Sequence, residues 1–84
     1  MFSVIKYPLA TEKSIRMMEM ENKLVFIADM KATRQEIKKD IESTFKVKIT
    51  KINTAIDAKG RKKVYVQLSP ETPAIDIATD LGLI

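Results

Sequence analysis

The chain has 84 residues and a net charge of +4, with 45% hydrophobic and 31% charged residues. This size and composition predict one globular domain, residues 1–84, with a single modest core. Cysteine and histidine are both absent, which excludes disulfides, thiolate metal sites and the commonest general base. No apolar run approaches the roughly 20 residues of a membrane helix, and the N-terminus lacks the pattern of a secretory signal. We therefore expect a cytoplasmic protein without membrane insertion.

The first elements are a short strand and a short helix. Residues 4–5 predict the strand, which we expect to end before Pro8. Thr11 is a plausible N-cap for the helix. Ile15 and Met18, three residues apart, would form its buried stripe.

A buried strand and a well-marked helix are predicted next. Residues 24–28 form a continuous apolar run, which indicates a strand covered on both faces. Thr33 and Glu36 form a capping box at the start of the helix. The helix then places its apolar residues at four-residue spacing on one face: Ile37, Ile41 and Phe45.

Two strands joined by a tight turn at residues 57–60 follow. In the first, the apolar positions Val47 and Ile49 fall out of phase with Ile52 and Ile56. Side chains alternate along a strand, so a bulge near residues 50–51 is needed to bring both sets to one face. In the second, the apolar residues alternate cleanly: Val64, Val66 and Leu68.

A short last helix closes the chain. Thr72 is its expected N-cap and Pro73 its first residue, and Gly82 would stop it. Its apolar face would consist of Ala74, Ile77, Ala78 and Leu81. The order β-α-β-α-β-β-α predicts an α+β fold, with helices covering a largely antiparallel sheet.

The charge is sorted along the chain. Residues 46–63 carry seven cations against one acid, Asp57: Lys46, Lys48, Lys51, Lys59, Arg61, Lys62 and Lys63. The charged residues of 69–84 are all acidic: Glu71, Asp76 and Asp80. The basic hairpin is either a solvated surface or a contact for RNA or DNA, and we favour the nucleic acid because the cations are so crowded.

Two residues of the hairpin have alternative interpretations. Tyr65 could stack on a base or lie along the sheet. Asn53 is disfavoured in a strand, so we expect its amide to bond either to RNA or to a loop of the protein itself.

Catalysis is not favoured. The sequence has no glycine-rich phosphate loop. A group of carboxylates lies on the lysine-rich second helix. There we expect ion pairs at four-residue spacing, such as Glu42 with Lys38 or Lys46. We predict no enzyme activity, no metal and no cofactor.

Three segments resemble the universal large-subunit ribosomal protein L23 family, in its short archaeal form. Residues 8–14 are similar to its Pro-x-x-hydroxyl-Glu-Lys element. Residues 31–39, continuing through 45–47 and 52–54, resemble its capped helix and Asn-Thr strand. Residues 60–68 resemble its Lys-Lys-Ala-Tyr-Val-x-Leu strand, with Val64 where alanine is common.

The resemblance implies a structural protein bound to large-subunit ribosomal RNA beside the polypeptide exit tunnel. It implies RNA contacts for Lys13, Arg16, Thr33, Arg34, Gln35, Lys38, Asn53, Lys59, Arg61, Lys62, Lys63 and Tyr65. It also implies a docking element for the signal recognition particle and other exit-site factors: Ala10, Thr11 and Glu12. A neighbouring ribosomal protein of the L29 family is a further implied partner.

One feature departs from bacterial members, whose hairpin loop is long and basic. Only residues 57–61 join the strands here, so we expect the tip to stop short of the tunnel lumen. Two rival interpretations remain open. They are a free-standing nucleic-acid-binding domain and a protein–protein adaptor that uses the acidic last helix.

Overall fold

The computed structural model describes residues 4–82. Its elements are β1 (Ile5–Pro8), α1 (Glu12–Glu21), β2 (Lys23–Ala28), α2 (Arg34–Phe45), β3 (Ile49–Ile56), β4 (Lys62–Leu68) and α3 (Ala74–Asp80). This order confirms the predicted α+β fold. β1 differs in its bounds, because it begins at Ile5 and includes Pro8. Proline is tolerated there since β1 is an edge strand, where a missing N–H costs no central ladder bond.

In residues 4–82 the four strands form one antiparallel sheet in the order β1-β2-β4-β3. The pairing shifts register between Ile5 and Tyr7 in β1, and between Ile49 and Lys51 in β3. The second shift confirms the predicted bulge. It places Ile49 and Ile52 opposite Leu68 and Val66, on the same face of the sheet.

The helices pack against one face of this sheet. The central strands contribute a buried row on that face: Leu24, Phe26, Ala28, Val64, Val66 and Leu68. These residues join Met18 of α1, Ile37 and Ile41 of α2, and Ile77 of α3 in one core cluster. The predicted core is therefore confirmed, with Phe45 and Ile15 packed at its margin and only partly buried.

The opposite face, which we call the open face, carries no helix in the part of the chain that the structure describes. Val25 and Ile27 nevertheless have exposures of only 4% and 2% there, although they lie outside the core cluster. Their cross-strand partners on β4 are Tyr65 and Lys63. β2 is thus buried on both faces, as predicted, and we attribute the second cover to long side chains of the neighbouring strands.

One asparagine connects α1, β4 and α3. Asn22 ends α1 in the left-handed conformation, at φ 55°. Its amide nitrogen donates to the main-chain oxygens of Leu68, Ser69 and Thr72 at 3.1–3.3 Å. Its amide oxygen accepts the main-chain N–H of Ala74 at 2.6 Å. A single side chain therefore fixes the loop between β4 and α3.

This contact also explains why the predicted start of α3 is wrong by one residue. Pro73, not Thr72, is the N-cap, and Ala74 is the first helical residue. Pro73 has no side-chain acceptor, so the oxygen that accepts the Ala74 N–H comes from Asn22, 52 residues before Ala74. A capping residue this far away in the sequence cannot be predicted from a local sequence pattern.

Both longer helices begin with a capping box. In α2 the Thr33 hydroxyl accepts the N–H of Glu36, and the Glu36 carboxylate accepts the N–H of Thr33, which confirms the prediction. In α1 the equivalent pair is Thr11 and Ser14. Thr11 was expected as the cap, but its partner was not.

Two carboxylates of α2 accept hydrogen bonds from the backbone of the edge strands. Glu42 accepts the N–H of Ile49 at 3.1 Å, so its expected pairing with Lys38 or Lys46 is wrong. Asp40, only 7% exposed, accepts the N–H groups of Val4 and Ile5 at 2.9 and 3.1 Å. These bonds fasten both edge strands to α2.

Candidate nucleic-acid interface

The open face brings three of the predicted contact residues together. The pairing register places Asn53 opposite Tyr65, and Lys63 opposite both Ile27 and Ala55. Cross-strand partners point to the same side of a sheet, so Asn53, Lys63 and Tyr65 share this face. Asn53 is exposed, whereas Tyr65 and Lys63 are half-buried.

The same register adds two residues to which the family resemblance assigns no RNA contact. Lys51 lies opposite Gln67 and is exposed, and Tyr7 lies opposite Ile27 and is 42% exposed. Both follow a register shift in their strands, so simple alternation could not assign their faces. For Lys51 the available signal was a basic residue beside the predicted bulge, whereas no sequence signal marked the shift before Tyr7.

The hairpin turn holds Arg61 in a fixed position. The Asp57 carboxylate accepts the main-chain N–H groups of Lys59 and Arg61, and also Arg61 Nε at 2.8 Å. Arg61 Nη1 reaches the hydroxyl of Tyr7 at 3.3 Å on β1. Gly60 completes the turn at φ 77°, as predicted.

The hydrogen bonds around the turn shift the pKa values of Asp57 and Arg61. The hydrogen bond from the Arg61 main-chain N–H is the largest influence on Asp57, and it lowers the pKa of that carboxyl below its ordinary value. The Tyr7 hydroxyl and then Asp57 raise the pKa of Arg61. Because Asp57 and Arg61 neutralise each other, the unpaired positive charge at this end comes from lysines.

The three consecutive cations of the hairpin do not act as one patch. Arg61 is held by Asp57, and Lys63 lies on the open face. Lys62 points to the helix side, where its amine donates to the main-chain oxygen of Ala32. Ala32 immediately precedes the N-cap Thr33, so Lys62 holds the start of α2 beside the hairpin.

The start of α2 carries exposed residues of the predicted interface: Thr33, Arg34, Gln35 and Lys38. The capping box already uses the Glu36 N–H and places the Glu36 carboxylate there. The exposed cations Arg34 and Lys38, rather than a fully open helix terminus, are thus the groups available to a phosphate.

The remaining predicted residues lie elsewhere. β1 leads away from the hairpin end, because Ile5 pairs with Ala28 and Pro8 with Phe26. Beyond it the docking triplet and the cations of α1 are all exposed: Ala10, Thr11, Glu12, Lys13 and Arg16. Glu12 and Arg16 form an ion pair at 3.7 Å. The structure therefore separates Lys13 and Arg16 from the hairpin residues.

Within residues 4–82, no three side chains of the metal-ligating types converge. None of the helices in that range is long and apolar enough to cross a bilayer.

The fold and the site together define a small basic α+β protein with one sheet face free of described helices. A family model described as Ribosomal protein L23 matches residues 3–77. The match spans most of the chain and confirms the resemblance seen in three segments, so the chain belongs to the ribosomal protein L23 family. Membership gives it a structural role in the large ribosomal subunit and in translation.

Proposed function

We propose that this protein binds large-subunit ribosomal RNA through the hairpin end and the open face, beside the polypeptide exit tunnel. One observation carries the proposal. The contact between Lys62 and Ala32 joins the start of α2 to the hairpin, so two separately predicted sets of RNA contacts lie next to each other at this end of the molecule. The protein is a ribosome-bound, cytoplasmic, non-enzymatic component in this proposal, with a neighbour of the L29 family.

Phosphate contacts would dominate the binding. Lys51 and Lys59 are exposed and Lys63 is half-buried, and none of these amines pairs with a carboxylate in residues 4–82. Each amine that meets a phosphate releases condensed counterions, so affinity falls steeply with salt. RNA helices hide the base edges of their deep groove, so such contacts read backbone and shape.

The structure identifies which cations to remove in a test. Arg61 and Lys62 bond within the fold, so their loss would disturb the hairpin as well as the interface. We therefore choose the triple change Lys51→Gln, Lys59→Gln and Lys63→Gln. We expect weaker binding to deproteinised large-subunit ribosomal RNA. The slope of log affinity against log salt is negative, and its magnitude should decrease by roughly 0.7–0.9 for each phosphate that the variant no longer neutralises.

The control removes two cations, one fewer than the test variant, just beyond the C-terminal end of α2: Lys46→Asn and Lys48→Gln. Asparagine is chosen because Lys46 has φ 55°, which asparagine tolerates. Filter binding at several salt concentrations measures both variants. An unchanged slope in the triple variant, or an equal change in the control, would remove the proposed interface.

We further propose that residues 10–12 form a docking element for the signal recognition particle and other exit-site factors. The supporting observation is its position. Thr11 and Glu12 lie at the exposed start of α1, on the far side of β1 from the hairpin end. A factor could therefore reach Glu12 while the hairpin end is bound to RNA.

A further inference from the structure

We infer that the open face holds one unpaired RNA base, stacked on Tyr65 and hydrogen-bonded by Asn53. The inference rests on the proposed RNA-binding function and adds a base contact to it. The juxtaposition of these two residues on adjacent strands carries the argument.

The Asn53 amide has no use within the fold. Its side chain forms no hydrogen bond with any other residue between 4 and 82, whereas the Asn22 amide makes four. The sequence left two partners open for Asn53, and no described loop of the protein bonds to it. An exposed amide in the middle of an edge strand is poorly explained by strand preference. It does offer a donor and an acceptor side by side.

Tyr65 supplies the flat surface beside that amide. Cross-strand partners have β-carbons about 4.5–5.5 Å apart, so the ring and the amide can contact the same small planar group. The cross-strand partner of Tyr65 on β2 is the buried Val25, so an apolar side chain lies beside the ring. Aromatic rings on open sheet faces are a common platform for unpaired bases.

Charge selects a nucleotide over a neutral aromatic ligand. Lys51 and Lys63 lie two residues before Asn53 and Tyr65, one on each strand, and on the same face. The strand positions of this face carry no carboxylate between β1 and β3. A base seated on Tyr65 would thus have amines near its flanking phosphates. A double helix could contact these amines through its phosphates but would offer no base to Tyr65, because its bases are stacked and paired inside.

The amide makes adenine the preferred base. Asparagine pairs with adenine through two hydrogen bonds, one donated and one accepted. We therefore expect tighter binding of a hexamer of adenylate than of a hexamer of uridylate.

The chain is suited to a direct test because it has no tryptophan and only two tyrosines. Tyr7→Phe leaves Tyr65 as the single tyrosine fluorophore. In that background we expect the adenylate hexamer to quench Tyr65 fluorescence, and an RNA duplex of the same length to leave it unchanged. Absence of quenching by a saturating hexamer would overturn the inference.

Substitutions separate the ring from the amide. By anisotropy of a labelled hexamer, Tyr65→Ala should weaken binding about fivefold or more, while Tyr65→Phe should retain it. Asn53→Ala should abolish the preference for adenylate over uridylate. Should Tyr65→Ala fail to fold, the quenching result and the Asn53 variant still decide. An Asn53→Ala protein with an undiminished preference would contradict the assignment.

The outcomes distinguish this inference from the function on which it rests. Salt-dependent binding of ribosomal RNA, without quenching and without an effect of Asn53→Ala, would overturn only the base contact. Failure to bind either ribosomal RNA or the hexamer would overturn both.

Discussion

At the scale of single residues, side-chain amides and carboxylates stabilise the fold through hydrogen bonds to main-chain groups. Asn22 bonds to four main-chain groups around the start of α3. Asp40 holds the N-terminal end of β1. Each satisfies buried or half-buried backbone groups, and leaving such groups without partners is costly. Asn53 has the same chemistry without a use inside the fold, which is why we assign it to a ligand.

Replacement of Asn22 tests this view of residue roles. Asn22→Ala removes four hydrogen bonds and leaves a β-carbon at φ 55°. We expect the free energy of unfolding to fall by about 2–3 kcal/mol. Asn22→Gly loses the same bonds without left-handed strain, so its loss should be smaller by about 1 kcal/mol. Urea denaturation measures both, and an Asn22→Ala protein as stable as the wild type would contradict the role.

At the scale of elements, the β3–β4 hairpin is held by its own charges. The Asp57 carboxylate is 12% exposed and bonds to Arg61 through both the main chain and the side chain. Arg61 then reaches Tyr7 on β1. The turn is thus tied to the opposite edge of the sheet, and its exposed cation is Lys59.

The lowered pKa of Asp57 gives this element a pH signature. A carboxyl with a lowered pKa stabilises the fold above its unfolded value, near 3.8, and loses that contribution as the pH falls through the folded value. The difference in unfolding free energy between wild type and Asp57→Asn should be constant above about pH 5 and shrink below about pH 4.

Thermal or urea unfolding from pH 7 to pH 2 provides the measurement. Glu71→Gln, which removes a carboxylate outside the turn, controls for net charge. A difference that stays constant to pH 2, or grows as the pH falls, would show that the ionised carboxylate does not support the turn.

At the scale of the whole molecule, the proposed functions occupy separate surfaces. The lysines of the proposed RNA interface lie on the hairpin and the open face, whereas Glu12 lies beyond β1, at the start of α1. Its ion pair with Arg16 is highly exposed, with side-chain exposures of 93% and 73%, so it adds little to stability. Within the proposed docking element, Glu12 can therefore be changed with little effect on the fold.

Glu12→Lys is the corresponding change. We expect lower affinity of ribosomes for the signal recognition particle, because the docking charge is reversed, and normal incorporation into large subunits. Co-sedimentation with purified ribosomes measures the first and gradient fractionation the second. Glu19→Lys, on the same helix, is the matched control. Equal affinity for wild-type and Glu12→Lys ribosomes would refute the docking proposal.

Much of this fold follows from sequence pattern because its signals are local. The Thr33 capping box, the alternation of Val64 and Val66, and the turn at Gly60 each depend on neighbouring residues. Features set by distant contacts could not be predicted. The cap of α3 comes from Asn22, and Glu42 bonds to Ile49 instead of a lysine.

In the candidate site, too, local features could be predicted and features set by distant contacts could not. The cations of the hairpin are evident from the sequence, but the direction in which each side chain points depends on the strand register. Arg61, Lys62 and Lys63 are adjacent in sequence and end on different surfaces. Lys51 and Tyr7 join the open face only because each strand has a shift before them.

A cryo-electron microscopy map of the large ribosomal subunit that contains this protein tests the central claim most directly. We predict ribosomal RNA against the open face and the hairpin end, with phosphates within reach of Lys51, Lys59 and Lys63. A map in which these lysines and Tyr65 face solvent, or face only protein, would contradict the account.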